Sequence, residues 1–490
     1  MSVSRRHFLQ GSLLGSLAIT TGGKTEYVFA QEEKQSSSPN EKISVGLVGA
    51  GGRGGDHLNG YTSRSDTEIT YVCDTDEGRA NGAADTIEKK TGKRPNVVTD
   101  FRKALEDKSL DCISTATPNH WHSLVSIWSM QAGKDVYVEK PVSHNVWEGR
   151  QAAGWARKLN KICQCGTQSR SSPSLKEAVQ FVQSGQLGKI LYAIGTCYKP
   201  RPSIGKLDKP LKIPESVNYD LWCGPAAMVD LYRPKLHYDW HWDFNTGNGD
   251  MGNQGIHQMD IARWFLGENE LSPRIRSIGG RLGYDDAGNT PNTQVVIHDY
   301  AKAPLIFETR GLPKSKMSYK DGMDSYRGSG VGVIVQCENG YIVCPSYTNV
   351  TAYDKDGKEI KAWKGGGDHY ANFIAGVRSR NHKDLNADIL EGHLSSALCH
   401  TGAISHLLGQ KKTATEAAVG TEANPQWADS YDRMVKHLEA NNVDVSQAVL
   451  TLGPWIEMDP KTETFKDNAA ANELLTRKYR HPYVVPECPA

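Results

Sequence analysis

The stretch "ISVGLVGAGGRGGDHLNGY", Ile43 to Tyr61, decides the fold. A short apolar run leads into Gly49-x-Gly51-x-x-Gly54, and a helix-like segment follows. Taken alone, three glycines so spaced say little in a glycine-rich chain. The context says more. A second apolar run, "EITYVCD", ends at Asp74, about 20 residues past the last glycine, the separation a dinucleotide-binding unit needs. Gly49 permits the tight turn, and Gly51 lets the backbone approach a pyrophosphate. Gly54 lets helix and strand pack closely. The helix N-terminus offers amide donors and a positive dipole end to phosphates. Asp74 can accept from a ribose 2′-hydroxyl and would repel a 2′-phosphate, which favours NAD. Arg53 and Arg79 leave NADP possible.

Outward from this unit, strand and helix alternate. "NVVTDFRKALEDKSL", "DCISTATP", "HWHSLVSIWSMQAG", "KDVYVEKP", "NVWEGRQAAGWARKLN" and "KICQCGTQ" continue the pattern. Repeated strand–helix units predict an α/β Rossmann domain, a doubly wound parallel sheet, over residues 42–168. Ligands of such sheets sit at the carboxyl ends of the strands. Asp74, Thr117, Asn119, Glu139, Lys140 and Gln168 all stand at such ends, so they should share one crevice. Lys140 is the notable one: a flexible cation where a buried strand runs out, fixed by the following Pro141.

After residue 170 the pattern changes. An aromatic stretch, "LHYDWHWDFNTGNGDMGNQGIHQMDIARWFLG", ends in a predicted helix from Gln254 to Leu266, with Asn253 as N-cap and Gly267 as stop. On a 3.6-residue period Asn253, His257, Asp260 and Trp264 share a face, a plausible wall of a polar pocket. Tyr238, Trp240, His241 and Trp242 either line a sugar site or form a structural aromatic cluster. Trp222 in "YDLWCGP" either covers a cofactor or is core.

In order, "GAGGRG", "CD", "TPNHWH", "EKP", "GTQ" and "GNQGIHQMD" resemble the Gfo/Idh/MocA oxidoreductases. The resemblance runs from about Ile43 to Gly409. It implies a second, α+β domain with a large, mostly antiparallel sheet, assigned to 169–412. It implies a nicotinamide cofactor, a sugar-like or polyol-like substrate, and a homo-oligomer formed through that sheet. Residue by residue, it implies Lys140 at the reacting hydroxyl, His257 as general acid/base, and Glu139 holding the lysine or a ribose. Thr117, Asn119 and His122 would be cofactor contacts, with His120 behind them, and Gln168 would approach the nicotinamide. Trp242 and Asp260 are assigned to the substrate. The family often has Asp four residues before the histidine, where this chain has Asn253. An amide orients an imidazole but does not stabilise imidazolium as a carboxylate does.

The rest of the chain bounds the setting. Lys+Arg and Asp+Glu nearly balance, at a formal net charge of +1, so no basic stripe points to nucleic acid. The ten cysteines form no pair of CxxC motifs, and no HExxH occurs, so no metal site is expected. Residues 1–30 read as an export signal, too short and interrupted to span a membrane. Arg5 and Arg6, followed by Phe8 and Leu9, resemble the twin-arginine type, with an ordinary secretory signal as the alternative. Residues 31–41 form a linker. These features predict a periplasmic protein, carried by the twin-arginine machinery with its cofactor already bound. Residues 413–490 read as a packing or oligomer-contact extension.

Three functions remain open from sequence. The first is an NAD(P)-dependent oxidoreductase acting on a sugar or polyol hydroxyl with tightly bound cofactor. The second is a redox-neutral enzyme that oxidises transiently, then cleaves a glycoside or epimerises, and restores the hydride. The third is a non-catalytic carbohydrate-binding protein, against which the retained glycines, Lys140 and His257 argue.

Overall fold

The structure, a computed structural model, describes residues 42–422 and 424–489. The expected export signal and linker lie outside the described residues. Six short apolar runs form a first sheet: β1 (Ile43–Val48), β2 (Thr67–Cys73), β3 (Asn96–Val98), β4 (Cys112–Thr115), β5 (Asp135–Val138) and β6 (Cys163–Cys165). All neighbours are parallel, in the order β3-β2-β1-β4-β5-β6. The order reverses between β1 and β4, which opens a crevice at their carboxyl ends. Strands buried on both faces need helices on both faces. Two apolar cores, one around Leu124 and Val136 and one around Leu47 and Ile87, fill those spaces.

The second domain is a twelve-stranded sheet. It contains β7 (Ile190–Tyr198), β8 (Arg274–Gly280), β9 (Thr293–His298), β10 (Leu305–Arg310), β11 (Val331–Cys337), β12 (Gly340–Cys344), β13 (Asn349–Asp354) and β14 (Glu359–Lys364). Four short strands complete it: β15 (Gln410–Lys412), β16 (Leu450–Leu452), β17 (Ile456–Asp459) and β18 (Thr464–Phe465). Pairing is antiparallel except between β7 and β10. The expected Rossmann domain followed by a mostly antiparallel sheet is therefore the observed architecture.

The helices Ile256–Leu266 and Ile389–Leu407 pack one face of the large sheet through Met259, Phe265, Leu398 and Ile404. The helix Pro425–Ala440 covers the other face through Trp427, Tyr431, Met434 and Leu438. Buried Glu308 of β10 fastens that helix, accepting from both ends of the Arg433 guanidinium at 2.5 and 2.8 Å. The C-terminal residues are thus built into both domains. Segments 410–412 and 450–459 add strands, and Tyr483 and Val485 enter the Rossmann core beside Trp121. Every described cysteine except the half-buried Cys488 is a buried free thiol. Among the described residues no helix is long and apolar enough to cross a membrane.

Candidate active site

The glycine loop after β1 has the shape its sequence requires. Gly49 has φ +87°, and a Cβ there would lie 2.8 Å from the backbone of Ala116 and Thr117. A Cβ on Gly54 would lie 2.0 Å from the Gly49 carbonyl oxygen. Both positions must be glycine for strand, turn and the helix Arg53–Thr62 to meet. Asp74 braces the loop: its oxygens accept from the main-chain N–H of Ala50 at 2.8 Å and of Asp76 at 3.0 Å. Burial raises its pKa, against the pull of these two bonds. The Arg79 guanidinium lies over Gly51.

The loop opens into a cavity of about 370 Å³ running from Asp74 past Thr117 and Asn119 to Glu139, Lys140 and Asn253. The cradle, the helix N-terminus and the carboxylate at the end of β2 fit a dinucleotide. A larger concavity of about 890 Å³ lies elsewhere, beside Trp264 and Lys302. It lacks the glycine loop and the strand ends.

At the inner end of the cavity, Glu139 is buried among cations and donors. Arg53 Nε donates to it at 2.9 Å, Gln168 Nε2 donates at 2.9 Å, and His57 Nε2 lies 3.2 Å away. Burial alone would raise the Glu139 pKa, but Arg53 and His57 hold it well below the usual carboxylate range. Gln168 also donates to the Tyr137 hydroxyl at 3.0 Å. It therefore braces Glu139 and is not part of the cavity lining, as Arg53 is.

Lys140 follows directly, joined to Pro141 by a cis peptide. Its ammonium donates to the Asn253 carbonyl at 2.7 Å, which leaves two of its three donors for a ligand. Burial lowers its pKa, and nearby Arg53 adds to the effect against Glu139. The His122 ring sits between the carbonyl oxygens of Pro141 at 2.5 Å and Thr117 at 2.7 Å, so it fixes the turn that presents the lysine. His120 does the same for the roof, between Thr246 and Trp222 carbonyls at 3.1 and 3.0 Å. Asn119 donates to Asn248 Oδ1 at 3.1 Å, tying the strand end to the second domain.

His257 comes from the second domain. The expected helix ends as predicted, with Gly267 at φ 70°. Its start differs: Asn253 is not an N-cap but lies inside a π-turn, Met251–Gly255, that runs straight into the helix. Gly255 allows this by resting on the Phe307 ring, where a Cβ would be 2.2 Å away. The turn points the Asn253 carbonyl at Lys140 and puts Asn253 in the cavity wall. His257 is 9% exposed and its Nδ1 is buried without a hydrogen-bond partner. Burial and then Lys140 push its pKa well below the ordinary histidine value. It is an uncharged imidazole at neutral pH, stacked obliquely on Tyr347 at 4.9 Å.

Two expected substrate contacts are corrected. Asp260 does not reach the cavity. It turns away to Arg170, at 2.9 and 3.0 Å, and accepts from Ser395 at 2.6 Å. Trp242 is buried between the guanidinium groups of Arg201 and Arg281, at 5.8 and 4.7 Å. Of the aromatic stretch, Tyr238 and Trp240 line the cavity, together with His237. Trp222 lines it too, stacked on Tyr219, and so is both roof and core. Arg480 and Tyr483 of the C-terminal tail clamp the short helix that carries it by gripping Asp220.

Known proteins resemble the chain in both halves. Residues 43–167 match a model described as the NAD-binding Rossmann fold of an oxidoreductase family, and residues 176–325 match that family's C-terminal α/β domain. An α-N-acetylgalactosaminidase of Shewanella oneidensis is 25% identical over 210 residues, 39% of this chain and 45% of that protein. A glycosyl hydrolase family 109 protein of Shewanella sp. strain ANA-3 matches to the same extent. The match thus spans under half the length of these curated relatives. The WlbA dehydrogenase of Bordetella pertussis, solved with NADH and UDP-GlcNAcA, shares the fold with a TM-score of 0.52 at 20% identity, over 73% of this chain and 94% of that one. An NAD-binding oxidoreductase of Klebsiella pneumoniae does so with a TM-score of 0.53 at 16% identity, over 73% and 95%. Glycine cradle, parallel sheet and second sheet carry both family models across more than half of the sequence, and the chain belongs to the Gfo/Idh/MocA oxidoreductase family.

Proposed function

We propose that the protein is an NAD-dependent enzyme acting on a secondary hydroxyl of a sugar, with Lys140 and His257 handling the proton. One observation carries this reading. A half-buried lysine with two free donors stands at the inner end of a dinucleotide cradle, and behind the Asn253 carbonyl that it grips, one helical turn on, lies His257, a neutral histidine whose Nδ1 has no partner. A bound nicotinamide supplies the hydride acceptor and donor. The protein's own groups do the rest. Lys140 Nζ donates to the reacting hydroxyl oxygen and stabilises negative charge as it develops there. The uncharged His257 imidazole accepts the hydroxyl proton. Glu139, held ionised by Arg53, fixes the lysine's backbone through a bond from its N–H at 3.2 Å. Asp74 favours NAD, by its remaining capacity to accept from a 2′-hydroxyl.

A second reading is favoured by a specific observation. The relatives at 25% identity include a protein named as a glycosidase. The roof of Leu221 and Trp222, clamped by the C-terminal tail, suits a cofactor that stays bound through each cycle. On this reading the enzyme oxidises the sugar transiently, releases the leaving group by elimination with loss of a proton, adds water across the resulting double bond, and returns the hydride, so that the net change is hydrolysis without redox. We also propose export by the twin-arginine route with the nucleotide loaded beforehand. The helix Pro425–Ala440 covers one face of the large sheet in the same chain, so a homo-oligomer would use the strands it leaves uncovered, towards β14.

The test is a panel of sugars and aryl glycosides read for both outcomes at once. Net oxidation gives reduced nucleotide in proportion to product. The redox-neutral reading gives released aglycone or epimer with catalytic nucleotide only. Neither product from any panel member, with nucleotide bound, would overturn both readings.

A further inference from the structure

Behind Asn253, on the second-domain side of Lys140, the chain carries more positive charge than it balances. Lys199 follows the last residue of β7, and its ammonium donates to Gln254 Oε1 at 3.3 Å. Gln254 donates in turn to the Tyr347 hydroxyl at 2.5 Å, and Tyr347 packs on His257. Lys140 holds the carbonyl of the preceding residue, Asn253. Two ammonium groups therefore grip consecutive residues of one π-turn, one turn of chain before the histidine.

The carboxylates of this region are committed elsewhere. Glu139 is paired with Arg53, and Asp250 takes the Arg201 guanidinium on both oxygens at 2.8 and 2.6 Å. Among the described residues, neither Lys140 nor Lys199 has an ion-pair partner. The Lys140 and Lys199 charges both act to disfavour protonation of His257. Half-buried cations without a counter-charge are costly, and a ligand anion would supply what the fold omits. Lys140 is needed at the reacting hydroxyl, so Lys199 is the cation left for recognition. Its single hydrogen bond goes to a neutral amide, which leaves donors free.

We infer that this site takes an acidic sugar, one bearing a carboxylate or a phosphate, and that Lys199 binds the anionic group. The inference rests on the reading of the site as a sugar site. Tyr347, 41% exposed, packs on His257 and presents an aromatic face and a hydroxyl beside Gln254.

The full chain, purified with its bound nucleotide, is titrated by calorimetry with three methyl galactosides: the neutral sugar, the uronate and the 6-phosphate. The matching gluco series is run alongside, at low and high salt. Acidic members should bind about 10-fold tighter than neutral ones, the gain from one charge-assisted contact. The preference should shrink with salt. Lys199→Gln should erase it, and Lys199→Arg should keep it, with melting temperature checking that both variants fold. A stronger response to uronate identifies the carboxylate as the group read, and a stronger response to phosphate identifies the phosphoryl group. Equal affinity for neutral and acidic sugars, an unchanged preference in Lys199→Gln, or no binding across the panel would overturn the inference. Tight acidic binding without any turnover would sink the proposed chemistry and leave this inference standing. Turnover of neutral sugars with no acidic preference would do the reverse.

Discussion

Lys140→Ala is expected to lower turnover about 10³-fold, the scale of a lost proton-handling group, while fold and nucleotide content stay as they were. The separation follows from what Lys140 touches. Among the described residues its ammonium makes one hydrogen bond, to the Asn253 carbonyl, and no ion pair. Removing it leaves one acceptor at the edge of an open cavity, where water can reach. The turn itself is held by His122 and by Glu139. Lys140→Arg should fail almost as badly, because a guanidinium stays charged and is planar where an ammonium is compact. Steady-state rates, with nucleotide content measured on the same preparations, check this. Rates near wild type in either variant would remove Lys140 from the chemistry.

The second large effect is on stability. Asp260→Ala should destabilise the protein by about 3 kcal/mol, the cost of breaking a buried pair from one side. Asp260 accepts from Arg170 and Ser395, and Ser395 accepts from Arg263 at 3.1 Å. Both arginines are buried. Glu391 keeps part of the network, at 3.0 Å from Arg170 and 2.6 Å from Arg263, which holds the loss to the lower end of the expected range. Denaturant unfolding measures it. A variant of unchanged stability and raised KM would instead return Asp260 to the substrate site.

These two residues show what was legible in the sequence and what was not. The Rossmann half was readable because its signals are local. Short apolar runs ending in Gly, Asp or Pro, at the spacing of strand–helix units, place Lys140 at a strand end before any coordinates exist. The helix bearing His257 was readable as a helix with a polar face. Periodicity does not say which side that face turns to. Asp260 points away from the cavity because Arg170 and Ser395 wait there, 90 and 135 positions distant. The Asn253 cap was misread because a π-turn has no distinctive composition, and only the Phe307 ring explains Gly255.

The partners of Glu139 were half visible. Arg53 was expected to meet the cofactor, and it lines the cavity while also pairing with Glu139. His57 was missed. It is buried between Glu139 and the Ser114 hydroxyl at 2.8 Å, and its only sequence signal is a histidine on the inward face of the first helix. His237 and the tail clamp on Asp220 were also missed. Tyr483 reaches Asp220 from 263 residues away, a distance no local pattern reports.

The central claim is that the glycine cradle holds a nicotinamide dinucleotide beside Lys140. Its most direct test is mass spectrometry of the nucleotide released when the natively purified protein is denatured. The account predicts NAD or its reduced form, close to one per chain, and its loss in a Gly51→Val variant, whose added side chain meets only the movable Arg79 guanidinium and so leaves the fold intact. Protein that carries no nucleotide, and that binds neither NAD nor NADP when they are added, would contradict it.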